Sequence, residues 1–238
     1  QINPPDDAGL FFSSGAYKNI QYGKDFIDWY NQSLITHGKT VLDAVSSALG
    51  TSFGSTPLGY KVPGVHWAIN NPAYPRAAEV AAGLIQTSID LNADATGHGY
   101  TKIVGLAKQI ATTRKVILHF TCLEMSNTPS APDYSLAQDL VFWVAKHAGT
   151  LGVTIKGENA LAGGLATNAG WDNMVNAFDW APYTGLTVLR VGNVASGLGM
   201  SRYAAFIARY RQQVTVHYAE PASAGSYSLH PWNGLTGD

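Results

Sequence analysis

The stretch Thr154-Ile-Lys-Gly-Glu-Asn-Ala-Leu161 decides the fold, because it has the pattern of a short β-strand that ends in a carboxylate. Side chains alternate between the two faces of a strand, so Thr154, Lys156 and Glu158 share one face. Three polar side chains on one face of a strand in the middle of a globular sequence need an explanation, because burying unpaired charge costs free energy. The floor of an active site and a surface edge strand both explain this stretch.

Helical and extended patterns alternate on both sides of this strand. The predicted strands are residues 59–67, 115–125, 154–161 and 186–191, and the predicted helices are residues 24–49 (unbroken, or broken near His37 and Gly38), 100–112, 135–147 with Ser135 as N-cap, 171–178 and 201–212. This alternation predicts an α/β fold with a parallel sheet, in a single region spanning residues 1–238. Residues 1–23 are predicted to form an irregular entry segment, residues 84–99 a loop, and residues 214–238 a C-terminal surface tail.

Polar residues lie near the carboxyl end of each predicted strand, namely His66, Thr121, Glu158 and Arg190. A closed (β/α)₈ barrel and an open doubly wound sheet both place their chemistry at this end of the strands. The positions therefore predict a site, but they leave open whether the sheet closes.

Glu158 is suited to act as a general base on a water molecule, because Lys156 on the same face favours the ionised carboxylate. Gly157 beside it would let a substrate or another backbone come close. The alternative is a Glu-Lys pair that only fills the end of the sheet. Arg190 needs a partner in its predicted apolar strand, and a carboxylate is the expected one. Glu124 is predicted to be a supporting or solvated carboxylate.

Composition narrows the class of function. Of the 238 residues, 13% are charged and the net charge is -1, so nothing favours binding to nucleic acid or to an acidic membrane surface. Six Trp and twelve Tyr suit sugar recognition, although aromatic residues also build cores. The single cysteine, Cys122, permits no internal disulfide and is expected to be a buried thiol rather than a nucleophile. No spacing of His, Cys and Asp indicates a metal site.

Several motifs taken together resemble the β-amylases, and the bacterial members in particular. They are Tyr22-Gly-Lys-Asp-Phe-Ile-Asp-Trp-Tyr30, Lys61-Val-Pro-Gly-Val-His66-Trp67, Asn70-Asn-Pro-Ala73, Phe120-Thr-Cys-Leu-Glu-Met125, Gly157-Glu-Asn-Ala-Leu161 and Val188-Leu-Arg190. Each motif is short, but four of them stand in the family's order, namely those at Lys61–Trp67, Phe120–Met125, Gly157–Leu161 and Val188–Arg190. The stretches Tyr22–Tyr30 and Asn70–Ala73 look like the bacterial members in particular, and the resemblance covers nearly the whole chain, from Gln1 to about Gln213.

The resemblance implies a TIM-type (β/α)₈ barrel that hydrolyses α-1,4-glucans of the starch type from non-reducing ends and releases maltose with inversion. It implies that Glu158 is the general base and that Thr121 supports substrate and base. Further residues match positions that contact or line the sugar site in the family, namely Lys61, His66, Trp67, Asn159, Ala160 and Arg190. We expect a secreted protein that needs no cofactor in this chain.

The chain departs from the family pattern in one large respect, because it resembles only the second half of the catalytic barrel, about the last four β/α units. The general acid, and calcium ligands where the family has them, belong to the first half. We therefore expect a complementary N-terminal half-barrel or self-association. A non-catalytic half-barrel for glucan binding or assembly is the alternative. Pro63 and Lys156 also depart from the family pattern.

Overall fold

The structure, a computed structural model, describes Phe11, residues 16–85 and residues 100–211. Within this part the strands β1 to β4 are Leu58–Val62, Val116–Phe120, Thr154–Glu158 and Tyr183–Thr187. The α-helices, numbered α1 to α6, are Gln21–Leu49, Ala77–Ala81, Thr101–Gln109, Ala137–Thr150, Asn168–Trp180 and Gly197–Arg211. Short 3₁₀ helices lie at Ala16–Lys18, Gly163–Ala166 and Val191–Val194. None of the described helices is both long enough and apolar enough to cross a membrane.

The strands form one four-stranded parallel sheet in the order β1-β2-β3-β4. Each strand pairs with the next strand along the chain, and helices connect them, as the alternating pattern predicts. The register places Lys61 of β1, His119 of β2 and Lys156 of β3 side by side. Because parallel strands point the same way, the segments that follow them meet at one rim of the sheet.

The two faces of the sheet differ in polarity. The face packed against the helices is apolar and buried, with Leu118, Phe120 and Ile155 each fully inaccessible. The opposite face carries Lys61, His119, Lys156 and Glu158, and we call these four residues the polar sheet face. This division explains the alternation in the opening stretch, and it removes the simple surface edge strand as an explanation, because β3 lies between β2 and β4.

Several predicted boundaries are wrong. Helix α1 runs unbroken through His37 and Gly38 and begins at Gln21, so the entry segment is shorter than residues 1–23. Strands β1, β2 and β3 end earlier than predicted, and the fourth strand is Tyr183–Thr187 rather than residues 186–191. Tyr183 is buried and donates a hydrogen bond to the Val141 carbonyl at 2.9 Å, which anchors the strand at this earlier position. The predicted tail 214–238 and most of the loop 84–99 lie outside the described residues.

Ser135 does not cap helix α4, which begins at Ala137. Its hydroxyl lies 2.8 Å from the Nδ1 atom of His66 instead. The first turn of α4 is satisfied by Asn127, whose Oδ1 accepts from the backbone N–H groups of Gln138 at 3.0 Å and Asp139 at 3.3 Å. A side chain from the preceding loop thus replaces the cap that local sequence predicts.

An apolar groove of about 470 Å³ lies between helix α1 and strand β1. Leu34, Val41 and Val45 line it from α1, and each is more than two-fifths exposed. This groove borders the edge of β1 that no described strand pairs. Unpaired strand edges and exposed apolar side chains are typical of surfaces that another chain segment covers.

Candidate active site

The carboxylate of Glu158 forms an ion pair with Lys61, whose Nζ donates to Oε2 across the intervening strand β2. The Glu158 side chain is 13% exposed, whereas the Lys61 side chain is 59% exposed. Lys61 is therefore the charged partner of Glu158, and the predicted pairing with Lys156 is wrong. The stem of Lys156 lies over Gly185 of β4, where an added Cβ would stand 3.0 Å from its Cδ. A nearly buried, charge-paired carboxylate at a strand end is suited to accept a proton from water.

His119 lies between two lysines on the polar sheet face. Its ring covers Gly59, where an added Cβ would lie 3.2 Å from Nε2. Burial, together with the charges of Lys156 and Lys61, lowers the pKa of His119, while Glu158 opposes that shift. The imidazole is therefore neutral at lower pH than an ordinary histidine.

The loop after β1 presents an imidazole and an indole at the rim. His66 is held by Ser135, and its ring meets the ring of Trp67 edge-on, with centroids 5.2 Å apart. Burial lowers the pKa of His66, and the charge of Asp133 opposes this shift. Trp67 is 42% exposed. A neutral histidine beside an exposed aromatic face is an arrangement that suits a sugar ring.

Asn159 and Arg190 tie the loops after β3 and β4 together. Asn159 is fully buried, and its side chain accepts from Leu189 N at 2.7 Å and donates to the Leu161 carbonyl at 3.2 Å. Arg190 lies beyond β4 with an exposed side chain, and its Nη1 donates to the Ala160 carbonyl at 3.1 Å. The predicted carboxylate partner of Arg190 is therefore wrong, because a backbone oxygen takes that place.

Thr121 and Cys122 follow β2 directly at the same rim. Cys122 is buried, and burial raises the pKa of its thiol to about 12, in keeping with the predicted inert thiol. Its φ of 69° is left-handed, as are those of Ala68 at 57° and Arg190 at 60° after β1 and β4. Leu123 N donates to the Glu158 carbonyl at 3.3 Å, which joins the turn that follows Thr121 to the end of β3.

Gly157 is required by packing rather than by an approaching substrate. An added Cβ at Gly157 would lie 2.1 Å from Cδ2 of Leu123, far closer than non-bonded carbon atoms approach. The Leu123 side chain therefore occupies the space beside Gly157 that an approaching substrate would need. Because Gly157 has no side chain, the turn after β2 can pack against the backbone next to Glu158.

Glu124 is a supporting carboxylate that holds the loop after β3. It is 4% exposed, and its carboxylate accepts from Ala160 N at 2.9 Å and from Leu161 N at 2.5 Å. These bonds fix the loop that immediately follows Glu158. A solvated carboxylate is therefore excluded. The one feature of the sequence that pointed to a role for Glu124 was its position in the Phe120–Met125 motif, just after a strand.

We expect Glu124→Ala to lower the free energy of unfolding by about 3 kcal/mol, because it removes two charge-assisted hydrogen bonds and leaves two backbone N–H groups without acceptors. Urea denaturation followed by circular dichroism measures this loss. The matched control is Asp25→Ala, which removes an exposed carboxylate from α1 and should cost no more than about 0.5 kcal/mol. Equal losses in the two variants would contradict the role assigned to Glu124.

Among residues 16–85 and 100–211, no group of three or more His, Cys, Asp or Glu side chains is placed to hold a metal ion. The polar sheet face instead offers two ammonium groups, an imidazole and a carboxylate, which is a set suited to proton transfer and hydroxyl recognition.

The sequence profile described as glycosyl hydrolase family 14 matches residues 1–214. This chain belongs to glycosyl hydrolase family 14. The predicted resemblance is therefore confirmed.

Similar family 14 proteins include the β-amylase of Cytobacillus firmus, 35% identical over 199 residues, and the β-amylase of Niallia circulans, 33% identical over 236 residues. The matched regions are 84% and 99% of this chain, but only 38% and 36% of those proteins. The chain thus spans well under half the length of these relatives.

A crystal structure of the catalytic domain of β-amylase from Paenibacillus polymyxa matches with a TM-score of 0.70 and 32% sequence identity. The match covers 90% of this chain and 47% of that one. It confirms the predicted α/β, TIM-barrel fold class for this family 14 chain. The roles carried over to Glu158, Thr121 and the sugar-contacting residues stay predictions.

Proposed function

We propose that this chain is the second half of a β-amylase-type barrel, which cuts α-1,4-glucans of the starch type from non-reducing ends and releases maltose with inversion. In this proposal Glu158 takes a proton from the attacking water, and Lys61 holds the carboxylate in place through the ion pair. The observation that carries it is the Lys61–Glu158 ion pair at the carboxyl rim, because both residues match family positions and meet across β2.

The remaining rim residues fit the recognition of sugar hydroxyls. Trp67 offers an exposed stacking surface, His66 a neutral ring nitrogen, and Arg190 an exposed guanidinium. Thr121 is half-buried next to the turn that reaches Glu158. Asn159 acts through the backbone of the neighbouring loop, and Ala160 holds the carbonyl that positions Arg190.

The general acid would come from a complementary half. Inverting hydrolysis needs two carboxyl groups about 6.5–9.5 Å apart, with water held by one of them. Glu158 is the one acidic residue in the four described strands. The unpaired edge of β1 and the groove beside α1 offer a place for the missing β/α units to dock.

The presence of a single acidic residue in the four described strands favours a second candidate. In this candidate the chain acts by itself as a non-catalytic half-barrel for glucan binding or assembly. The four described strands carry one carboxylate, which can orient a sugar, and within them no second carboxyl group is present to protonate the leaving oxygen.

The two candidates separate in a starch assay. The chain alone, checked for intact mass, is compared with a chimera in which it replaces the matched region of the Paenibacillus polymyxa catalytic domain. We expect no maltose from the chain alone, and maltose of inverted anomeric configuration, detected by proton NMR, from the chimera. A folded chimera that binds maltose but releases none would support the non-catalytic candidate.

A further inference from the structure

The polar sheet face is divided into layers when it is viewed as the interior of a barrel. In such barrels the side chains of alternate strands fill each layer. Because the strands of such a barrel tilt, a layer shifts by about one residue per strand relative to the register. Lys61 of β1 therefore shares a layer with Glu158 of β3, which it touches, although the register sets it beside Lys156. Gly59 and Lys156 each lie two residues earlier on the same two strands, so they belong to the layer below.

This lower layer has a charge without a counter-charge. Gly59 contributes no side chain, and within the described part of the chain Lys156 forms no ion pair. The other titratable groups of the polar sheet face supply no free anion: the imidazole of His119 lies between Lys61 and Lys156, and Glu158 already pairs with Lys61. An ammonium group enclosed in a barrel without an anion is strongly unfavourable.

A second copy of this chain, docked on the polar sheet face, would add a second unpaired positive charge to the lower layer. A two-fold barrel made of two copies would put two Lys156 side chains and two Gly59 positions into one layer, with no carboxylate among them. The upper layer would hold two Lys61–Glu158 pairs and would already be neutral. Like charges facing each other across an interface select against the wrong partner.

Resting on the proposed function, which makes the polar sheet face a barrel interior, we infer that this face docks a half-barrel that carries a carboxylate into the layer of Lys156, rather than a second copy of the chain. The partner's side chain would accept hydrogen bonds from the Lys156 ammonium, which lies beyond the part of the face that the His119 ring covers at Gly59. This carboxylate is distinct from the general acid, which acts at the rim one layer higher.

The test supplies the missing carboxylate from the chain itself. Lys156→Glu is mixed with the wild-type chain at equal concentration, and the dimer dissociation constant is measured by sedimentation velocity. We expect the mixture to associate at least about tenfold more tightly than either protein alone, because only the mixed pair places a carboxylate opposite Lys156.

Two controls keep the outcome specific. Lys108→Glu makes the same charge change on the exposed side of α3 and should give no gain when mixed with wild type. Lys156→Gln, whose circular dichroism and urea midpoint report folding, should give no gain either. If the mixture associates no more tightly than wild type alone, the inference is overturned, whether the chains are monomeric or dimeric. The assay contains no glucan, so its failure is separate from failure of the starch assay.

Discussion

Glu158→Gln is expected to lower kcat for maltose release by about 10²–10⁴-fold in the completed barrel, which is the range for loss of a general base. Glutamine keeps the shape of the side chain and can still accept a hydrogen bond from Lys61, but it cannot take a proton from water. KM should change little, because the substituted group acts on the water rather than on the sugar. Initial rates on soluble starch, measured on the chimera, test this expectation.

The matched control for this experiment is Asp172→Asn, which makes the same chemical change on helix α5, where Asp172 pairs with Arg202. Its kcat should remain within about twofold of the parent, since surface ion pairs contribute little. Turnover retained by Glu158→Gln would reject Glu158 as the base. A rise in KM with unchanged kcat would make Glu158 a binding residue instead.

Arg76→Met is expected to lower the free energy of unfolding by about 3–5 kcal/mol, the range for breaking a buried ion pair from one side. Arg76 donates to both carboxylate oxygens of Glu79, through Nε at 2.6 Å and Nη2 at 2.9 Å. The two residues are 2% and 0% exposed. The backbone N–H of Arg76 also donates to the Ala68 carbonyl at 2.9 Å, so this pair adjoins the loop that carries Trp67.

The double variant Arg76→Met/Glu79→Leu separates the loss of the pair from the cost of the stranded carboxylate. It should recover most of the stability that Arg76→Met loses, because replacing both partners removes the unpaired charge. Urea denaturation of both variants measures the difference. A loss below about 1 kcal/mol in the single variant would mean that water reaches Glu79 and that the pair is not a buried one.

Much of the fold could be predicted from the sequence, because strand and helix periodicities differ and alternate along the chain. The alternation on Thr154 to Glu158 correctly assigns its two faces, and the motif order identifies the family. Local patterns could not supply the strand ends, however. The fourth strand was predicted too late in the chain because residues 186–191 are mostly apolar. The contacts of Tyr183 with helix α4 set the true start of the strand.

The contacts of the site residues were harder to predict than their identities. Lys156 is the nearest lysine to Glu158 in sequence, yet the ion pair comes from Lys61, two strands away. Glu124 was predicted to be a supporting or solvated carboxylate and Ser135 a helix cap, but each holds a neighbouring loop through hydrogen bonds that only the assembled sheet creates. Contacts between residues that are far apart in the chain produce no periodic pattern in a single sequence, so they could not be predicted from it.

The left-handed residues at the rim limit how this protein can diversify. Ala68 and Cys122 directly follow the candidate residues Trp67 and Thr121, and Arg190 is itself a candidate contact; each of the three has a positive φ. A β-branched residue there would be costly in any protein, by about 1–2 kcal/mol. Sequence change at this rim is therefore expected mainly at the side chains before these turns, because the left-handed positions themselves accept few replacements.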